Sequence, residues 1–151
     1  TISISLAAAT RSFMIAIVSI ITFYIIIDIQ IKHFFLLFLF TFFTSFILGN
    51  IGIISGLWAE KFDHQATITN FVIVPLSFLS GTFYSIERLP DFLKKISEVN
   101  PFFYMIDGFR FCFIGQSDGS IKVGIIYLLI LSILSWLAAY ILFKRGYKIK
   151  T

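Results

Sequence analysis

Four long runs without a charged residue divide this chain, and short polar stretches separate them. A helix rises about 1.5 Å per residue, so about 20 apolar residues are needed to cross a hydrocarbon core of about 30 Å. Three of the runs meet that length, while the first, which ends at Asp28, requires tilt or local thinning of the bilayer. The pattern predicts membrane-spanning helices at residues 12–28, 34–58, 66–84 and 123–143.

A different pattern occupies residues 85–121, between the third and fourth predicted spans. Phe92, Ile96 and Val99 share one face of a short amphipathic helix that would lie at the membrane interface. The aromatic segment from Phe102 to Ile114 is too short and too charged to cross. This region predicts a re-entrant helical hairpin on the outer side, before the last span. The predicted fold class is an all-α integral membrane protein with four transmembrane helices.

Small residues recur in the second and third predicted spans and are candidates for helix packing. Gly49, Gly52 and Gly56 lie at spacings of three and four in the second span, and Gly81 follows in the third. Small residues so placed let another helix backbone approach closely, although chance glycine enrichment in an apolar helix is the alternative explanation. Pro75 removes a hydrogen-bond donor from the third span and should kink it.

Two charged residues, Asp107 and Arg110, lie one helical turn apart in the aromatic part of the predicted hairpin. Unpaired charges in a partly buried aromatic environment are costly, so we expect these two side chains to form a salt bridge that pins the hairpin. Direct contact with a polar or anionic group of a substrate is the alternative.

The composition agrees with a membrane protein. Hydrophobic residues make up 58% of the chain and charged residues 13%, with a mean hydropathy of +0.96, whereas soluble domains are about 45–50% apolar and about 25% charged. Twenty phenylalanines exceed what the interior of a soluble domain of 151 residues can bury. The net charge of +4 is weak evidence for nucleic-acid binding, because cations flank membrane spans in general. The single cysteine, Cys112, excludes an internal disulfide bond.

The basic residues near the end of the chain indicate its orientation. Residues 144–150 hold four cations directly after the last span, and such clusters favour the cytoplasmic side. Four crossings put both ends of the chain on that side. We therefore expect the hairpin at residues 85–121 to face the outside and the polar stretch at residues 60–64 to face the cytoplasm.

No GxxxxGK[ST] phosphate-binding loop occurs in the sequence, so we expect no nucleotide hydrolysis by this chain. Gly115 to Gly119 does match the GxSxG pattern of a serine hydrolase, with Ser117 as the nucleophile. A nucleophile elbow requires a strand before the serine, whereas this motif lies in a connection that leads into a predicted membrane helix. A flexible turn is the favoured interpretation, and a membrane-embedded hydrolase is an alternative function.

The polar stretch between the second and third spans consists of Glu60, Lys61, Phe62, Asp63 and His64. Its carboxylates and histidine could form a metal or proton site, but they lack the HExxH spacing. We favour a docking site for a cytoplasmic partner, because the charges lie close to two span ends. The sequence assigns no metal ligand, no cofactor-binding residue and no catalytic residue.

Five stretches of the chain, taken together, carry a resemblance to a known family: Gly56–His64, Asn70–Phe71, Pro75–Ser85, Leu89–Pro90 and Asn100–Arg110. In order and spacing they resemble the signature region of the ABC-2 type permeases, which are the membrane subunits of bacterial ATP-binding cassette exporters. The specific match runs from Gly49 to Ser120.

The resemblance implies a permease subunit of an ATP-driven exporter, moving a lipid, a polysaccharide or a drug-like substrate across the bacterial inner membrane. It implies a homodimer in the lipid bilayer and a separate ABC ATPase subunit that binds ATP, so no cofactor and no nucleic acid are expected on this chain. Such permeases have six spans, and residues 1–151 would be the C-terminal four-span fragment of that transmembrane domain. A non-transporting scaffold subunit is a further alternative.

The resemblance also suggests roles for two groups of residues. The polar stretch at residues 60–64 becomes a candidate ATPase-coupling loop. The outer hairpin, which the family places between its fifth and sixth spans, becomes a candidate gate. The candidate residues of the hairpin and gate are Pro101, Phe102, Phe103, Tyr104, Asp107 and Arg110.

Overall fold

The computed structural model describes residues 2–27, 31–59, 62–81 and 90–144 of the chain. Every regular element in these ranges is helical, which confirms the all-α prediction. The helices are α1 (Ile2–Ile27), α2 (Phe34–Trp58), α3 (Phe62–Ile68), α4 (Val74–Phe78), α5 (Asp91–Val99), α6 (Pro101–Ile114) and α7 (Ile121–Lys144). A π-helical turn at Thr69–Ile73 joins α3 to α4 without a break, and residues 62–78 are called the α3–α4 segment below.

Two of the predicted spans correspond to helices that are long and apolar enough to cross a membrane. These are α2, with 25 residues, and α7, with 24 residues. Helix α1 has 26 residues, but its apolar stretch, Thr10–Ile26, is shorter. It begins at Ile2 rather than at residue 12, because the alanines at residues 7–9 favour a helix. The count of four spans and the re-entrant path of the hairpin stay predictions.

Large apolar side chains cover the outer surface of α1 and the start of α2. Ile25 is 75% exposed, Phe34 is 73% exposed and Phe35 is 74% exposed. Soluble monomers rarely expose a contiguous apolar surface of this kind, whereas helices that are apolar all round are expected where lipid surrounds them. The exposed surface therefore agrees with a location in a membrane.

Helix α2 lies at the centre of the described structure and packs against α1, α6 and α7. Its buried residues Leu37, Phe40 and Ile47 form a core with Met105 of α6 and Leu128 of α7. Within a bilayer, helices associate through close packing and not through exclusion of water. The fit between side chains on these helices therefore decides how well the fold is held.

Helix α6 comes very close to α2 at Gly108. A methyl group placed on Gly108 would lie within 2.6 Å of three ring atoms of Phe40, which is fully buried. At Gly52 and Gly56 such a methyl group would meet no atom within 4 Å outside the backbone of its own helix. Gly108 is therefore a glycine that lets α6 pack against α2. The proposed packing role of Gly49, Gly52 and Gly56 stays a prediction about another helix.

Pro75 lies just after the π-helical turn. The Val74 N–H donates to the Thr69 carbonyl, an i to i+5 pattern that widens the helix before the proline. Because proline lacks an N–H and its ring crowds the preceding turn, the wider turn accommodates it. The predicted interruption is thus present as a π-helical turn. The helix ends at Phe78, and Gly81 lies beyond it in the left-handed conformation, with a φ of 78°.

We predict that Gly108→Ala destabilises the fold by about 1–3 kcal/mol, because the added methyl group overpacks the contact with Phe40. The matched control, Gly52→Ala, should be neutral or stabilising by up to about 1 kcal/mol, since alanine is the better helix former. Thermal unfolding in detergent measures both. Equal behaviour of the two variants would contradict the described approach of α6 to α2, and Phe40→Leu should partly rescue Gly108→Ala.

Candidate functional site

The described part of the predicted hairpin, residues 90–120, begins with the amphipathic helix α5. Phe92 and Val99 are 74% and 71% exposed and share one face with Ile96, as predicted, so α5 presents apolar side chains away from the rest of the chain. At the end of α5 the Tyr127 hydroxyl of α7 donates to the Val99 carbonyl at 2.6 Å. The helix has the length and pattern of one that lies along a membrane surface.

Asn100 and Pro101 separate α5 from α6. The Asn100 Oδ1 atom accepts the Phe102 N–H at 3.0 Å, so this side chain caps the first turn of α6. Pro101 occupies the first helical position, where its missing N–H leaves nothing unpaired. The break predicted at these two residues is therefore a cap that begins a new helix.

The candidate gate residues lie on α6, and they pack against the rest of the fold. Phe103 and Asp107 are each 3% exposed. The ring of Tyr104 lies 4.6 Å from that of Tyr127 on α7 and 5.0 Å from that of Phe103, measured between centroids. In this conformation the aromatic side chains of the hairpin hold α6 against α7. The half-buried candidates are Pro101, Phe102, Tyr104 and Arg110.

Asp107 holds the turn that follows α6. Its carboxylate oxygens accept the Asp118 N–H at 2.7 Å and the Gly119 N–H at 3.2 Å. Burial raises the pKa of Asp107 above its usual value, while the two N–H donors act in the opposite direction. The carboxylate therefore serves as an acceptor for backbone groups that would otherwise be buried without a partner.

The salt bridge predicted between Asp107 and Arg110 is wrong. Instead, the Arg110 Nη1 atom pairs with Asp118 Oδ2 at 2.7 Å, and its Nη2 atom donates to the Gly81 carbonyl. The cause is the turn after α6, because Gly115 adopts a φ of 80° and the chain folds back until Asp118 reaches the guanidinium. A charge pair does pin the hairpin, but it uses a different carboxylate.

The GxSxG match forms the turn between α6 and α7, in which Gly115, Ser117 and Gly119 have structural roles. Gly115 is the left-handed C-cap of α6. The Ser117 hydroxyl donates to the Gly119 carbonyl at 2.8 Å. A methyl group on Gly119 would lie 3.1 Å from the Phe103 ring and 3.3 Å from the Asp107 carboxylate, so a larger residue would crowd this turn. The motif follows a helix and not a strand, so it lacks the nucleophile-elbow setting that the hydrolase alternative requires.

The end of the loop between α1 and α2 contacts the C-terminus of α6, a feature that the sequence did not reveal. The backbone N–H groups of Lys32 and His33 lie 3.0 and 3.3 Å from the Cys112 carbonyl, and the Lys32 ammonium donates to the Ile114 carbonyl. The His33 ring stacks on Phe111 at 4.9 Å. Cations are favourable at a helix C-terminus, but Lys32 and Ile114 are 82 positions apart, so no local signal could show the contact.

The candidate ATPase-coupling loop is described only in part. Glu60, Lys61 and the side chain of Phe62 fall outside the described residues. Asp63 is exposed and His64 is half-buried at the start of α3. The described ranges contain no group of three potential metal ligands. The metal alternative, which requires Glu60, and the coupling role both stay predictions.

An apolar groove with a volume of about 530 Å³ lies next to this loop, between α2, α3 and the end of α7. Trp58 is 52% exposed, and its ring lies 5.7 Å from that of His64. A tryptophan at the end of an apolar helix is typical of the membrane–water interface. The position of Trp58 therefore agrees with a coupling loop that begins at that interface. The residues that line the groove are Ile51, Ile54, Ser55, Leu57, Trp58, Ile68 and Leu142.

These structural features define the class of the protein. Two helices are apolar enough to cross a bilayer, and the polar residues of the hairpin are used at turns and helix ends. The class is that of helical membrane proteins. Residues 1–114 match the family model described as ABC-2 type transporter, and the chain belongs to this family. Membership in a transporter family agrees with the structural role of the Ser117 turn.

Two sets of relatives extend the comparison. The chain is 34% identical over 103 residues to the inner membrane transport permease YadH of Escherichia coli (strain K12), an alignment that covers 68% of this chain and 40% of that protein. It is 24% identical to nodulation protein J of Sinorhizobium fredii (strain NBRC 101917 / NGR234) and 26% identical to that of Rhizobium leguminosarum bv. viciae, each over 102 residues that cover 68% of this chain and 39% of the relative. The chain therefore spans about two fifths of the length of these curated relatives. No solved structure matches.

We predict that Asp107→Ala lowers the free energy of unfolding by about 1–3 kcal/mol, because the Asp118 and Gly119 N–H groups of the half-buried turn lose their acceptor. Asp107→Asn should lower the free energy of unfolding by less, since the amide keeps one oxygen that can accept a hydrogen bond. The exposed Glu98→Ala is the control and should change stability by no more than about 0.5 kcal/mol. Unfolding in detergent and hydrogen exchange at the two amides measure the effect; unchanged protection in Asp107→Ala would contradict the anchoring role.

Proposed function

We propose that this chain is part of the permease subunit of an ATP-driven exporter, which moves a lipid, a polysaccharide or a drug-like substrate across the bacterial inner membrane. The observation that carries the proposal is the family match over residues 1–114, which includes both the coupling loop and α6 of the hairpin. The names of the relatives, an inner membrane transport permease and a nodulation protein, are compatible with export of such compounds.

The proposed topology has four crossings, a cytoplasmic tail and an outer hairpin. The contact between the α1–α2 loop and the C-terminus of α6 supports it, because Lys32 and Ile114 must then lie on the same side of the membrane. Asp63 and His64 fall on the opposite, cytoplasmic side in this arrangement. The exposed apolar face of α5 would rest on the outer leaflet.

In the proposed mechanism the chain supplies no covalent chemistry. ATP is bound and hydrolysed by a separate ABC ATPase, a partner that the family implies in general. Two permease copies would line a path between them, and residues 60–64 would receive the movement of the ATPase. The gate residues of α6 would then change their packing and switch access to the path. Transport follows only if the two states bind the substrate differently.

We expect a cysteine in Lys95→Cys to react with a membrane-impermeant thiol reagent in intact cells, because Lys95 is exposed on α5 and α5 faces the outside in this topology. The matched variant Asp63→Cys, also exposed, should react only after the cells are opened. Mass shift of the full-length protein measures the labelling. The reverse pattern would overturn the orientation. The buried native Cys112 should not contribute.

We also expect the full-length protein to co-purify with an ATP-binding subunit from detergent extracts. Asp63→Ala with His64→Ala should weaken this association by about fivefold, or about 1 kcal/mol, if these side chains contribute to the contact. Ser117→Ala is the control and should leave both the association and ATP hydrolysis unchanged. Purification without any ATP-binding protein would favour the scaffold alternative over the exporter.

A further inference from the structure

The end of the α3–α4 segment is tied to the hairpin by buried side-chain donors. The Asn100 Nδ2 group donates to the Leu76 carbonyl at 2.6 Å. The Ser97 hydroxyl lies 2.7 Å from the Leu79 carbonyl and 3.0 Å from the Leu93 carbonyl of its own helix, of which Leu79 is the nearer acceptor. Asn100 is 4% exposed and Ser97 is fully buried. The last carbonyls of a helix lack partners within the helix, and lipid cannot supply them. These two side chains therefore complete the helix end.

Arg110 adds a third link to the same helix end. The Nη2 atom of Arg110 donates to the Gly81 carbonyl, while its Nη1 atom pairs with Asp118 at 2.7 Å. Because the guanidinium is planar and its donors are held in a fixed fork, Arg110 sets the distance between the helix end and the turn before α7. Ser97, Asn100 and Arg110 are called the polar clamp below.

The second half of the α3–α4 segment is not packed into the core of the described structure. No residue in the π-helical turn Thr69–Ile73 or in Val74–Phe78 is buried, and Phe71 is 76% exposed. The π-helical turn is a local irregularity of the kind that often accompanies functional sites. The hydrogen bonds of the polar clamp therefore give a movement of this segment a direct path to the hairpin.

We infer that the polar clamp makes the end of the α3–α4 segment and the hairpin move as one body, so that its three members are positioning residues for the gate. The inference rests on the proposed function, in which Asp63 and His64 at the other end of the segment meet the ATPase. A movement that starts at Asp63 and His64 passes along the α3–α4 segment, which ends at Phe78, and reaches Gly81. The clamp then passes it to α6 and to the turn at Asp118.

The test measures the distance between spin labels at Phe71→Cys and Lys95→Cys in the full-length protein, reconstituted in lipid nanodiscs. Both positions are exposed, and burial raises the pKa of the Cys112 thiol to about 11, so the native cysteine should not be labelled. With the clamp intact, we expect one narrow distance distribution.

Two substitutions remove two of the three links of the clamp. Asn100→Asp keeps the oxygen that caps α6 and removes the donor to Leu76. Ser97→Ala removes a single hydroxyl, and the matched control is Ser132→Ala, a buried serine whose hydroxyl donates only within α7. The double variant should make the distribution about twice as wide, since only the Arg110 link of the clamp to Gly81 then remains. A folded double variant with the original distribution would overturn the inference.

A second measurement separates this inference from the proposed function. The protein is co-expressed with its ATP-binding partner, and labels at Lys95→Cys and Lys122→Cys report movement of α5 relative to α7 when a non-hydrolysable ATP analogue is added. A shift that occurs in the clamp-intact protein and is lost in the double variant supports both proposals. If no shift occurs although the first experiment shows broadening, the clamp stands and the exporter mechanism fails.

Discussion

Lipid offers no hydrogen bond to a backbone N–H or carbonyl, and this constraint governs the described structure. Helices satisfy most of these groups internally, so the remaining groups lie at helix ends and irregular turns. In this chain they are satisfied by side chains from distant parts of the sequence. Lys32 donates to a carbonyl at the end of α6, and Arg110 donates to a carbonyl just after the α3–α4 segment. Asp107 accepts from an N–H group of the turn before α7. Charged residues of the hairpin are thus placed where the backbone needs them, which explains their presence in an otherwise apolar region.

A second consequence of the lipid environment concerns packing. Apolar surfaces gain little by meeting each other in a bilayer, so close fit decides which helices associate. Gly108 lets α6 approach the buried ring of Phe40. The Thr41 and Ser132 hydroxyls donate to carbonyls of their own helices at 2.7 Å and can therefore be buried on α2 and α7 without unpaired donors. Small and hydroxyl-bearing residues thus join the buried Leu37, Ile47 and Leu128 in the contacts between helices.

The presence of the helices and the boundaries of α2 could be predicted because their signals are local: apolar length, proline and capping residues. The predicted start of α1 was wrong, since this helix begins at Ile2 and not at residue 12. The partners of individual side chains could not be predicted. Asp107 and Arg110 are one helical turn apart, and this spacing predicted a salt bridge between them. The Arg110 guanidinium binds Asp118 instead, because the left-handed turn at Gly115 brings Asp118 close to it. In the same way, the regular spacing of glycines in α2 suggested that Gly52 lies at a contact between helices. The close approach of α6 to α2 is instead at Gly108. Such contacts depend on which elements meet in space, and spacing along one element does not encode that.

The same contacts constrain how a substrate could engage the hairpin. The Arg110 guanidinium, which the sequence offered as a contact for an anionic group, already binds Asp118 and Gly81. A substrate anion that took the place of one of these partners would loosen the link to the α3–α4 segment. Substrate binding and movement of that segment would then be thermodynamically coupled, each changing the equilibrium of the other by the same free energy. A polar substrate would act on the gate as a competitor for an internal bond, whereas an apolar substrate would leave the link intact.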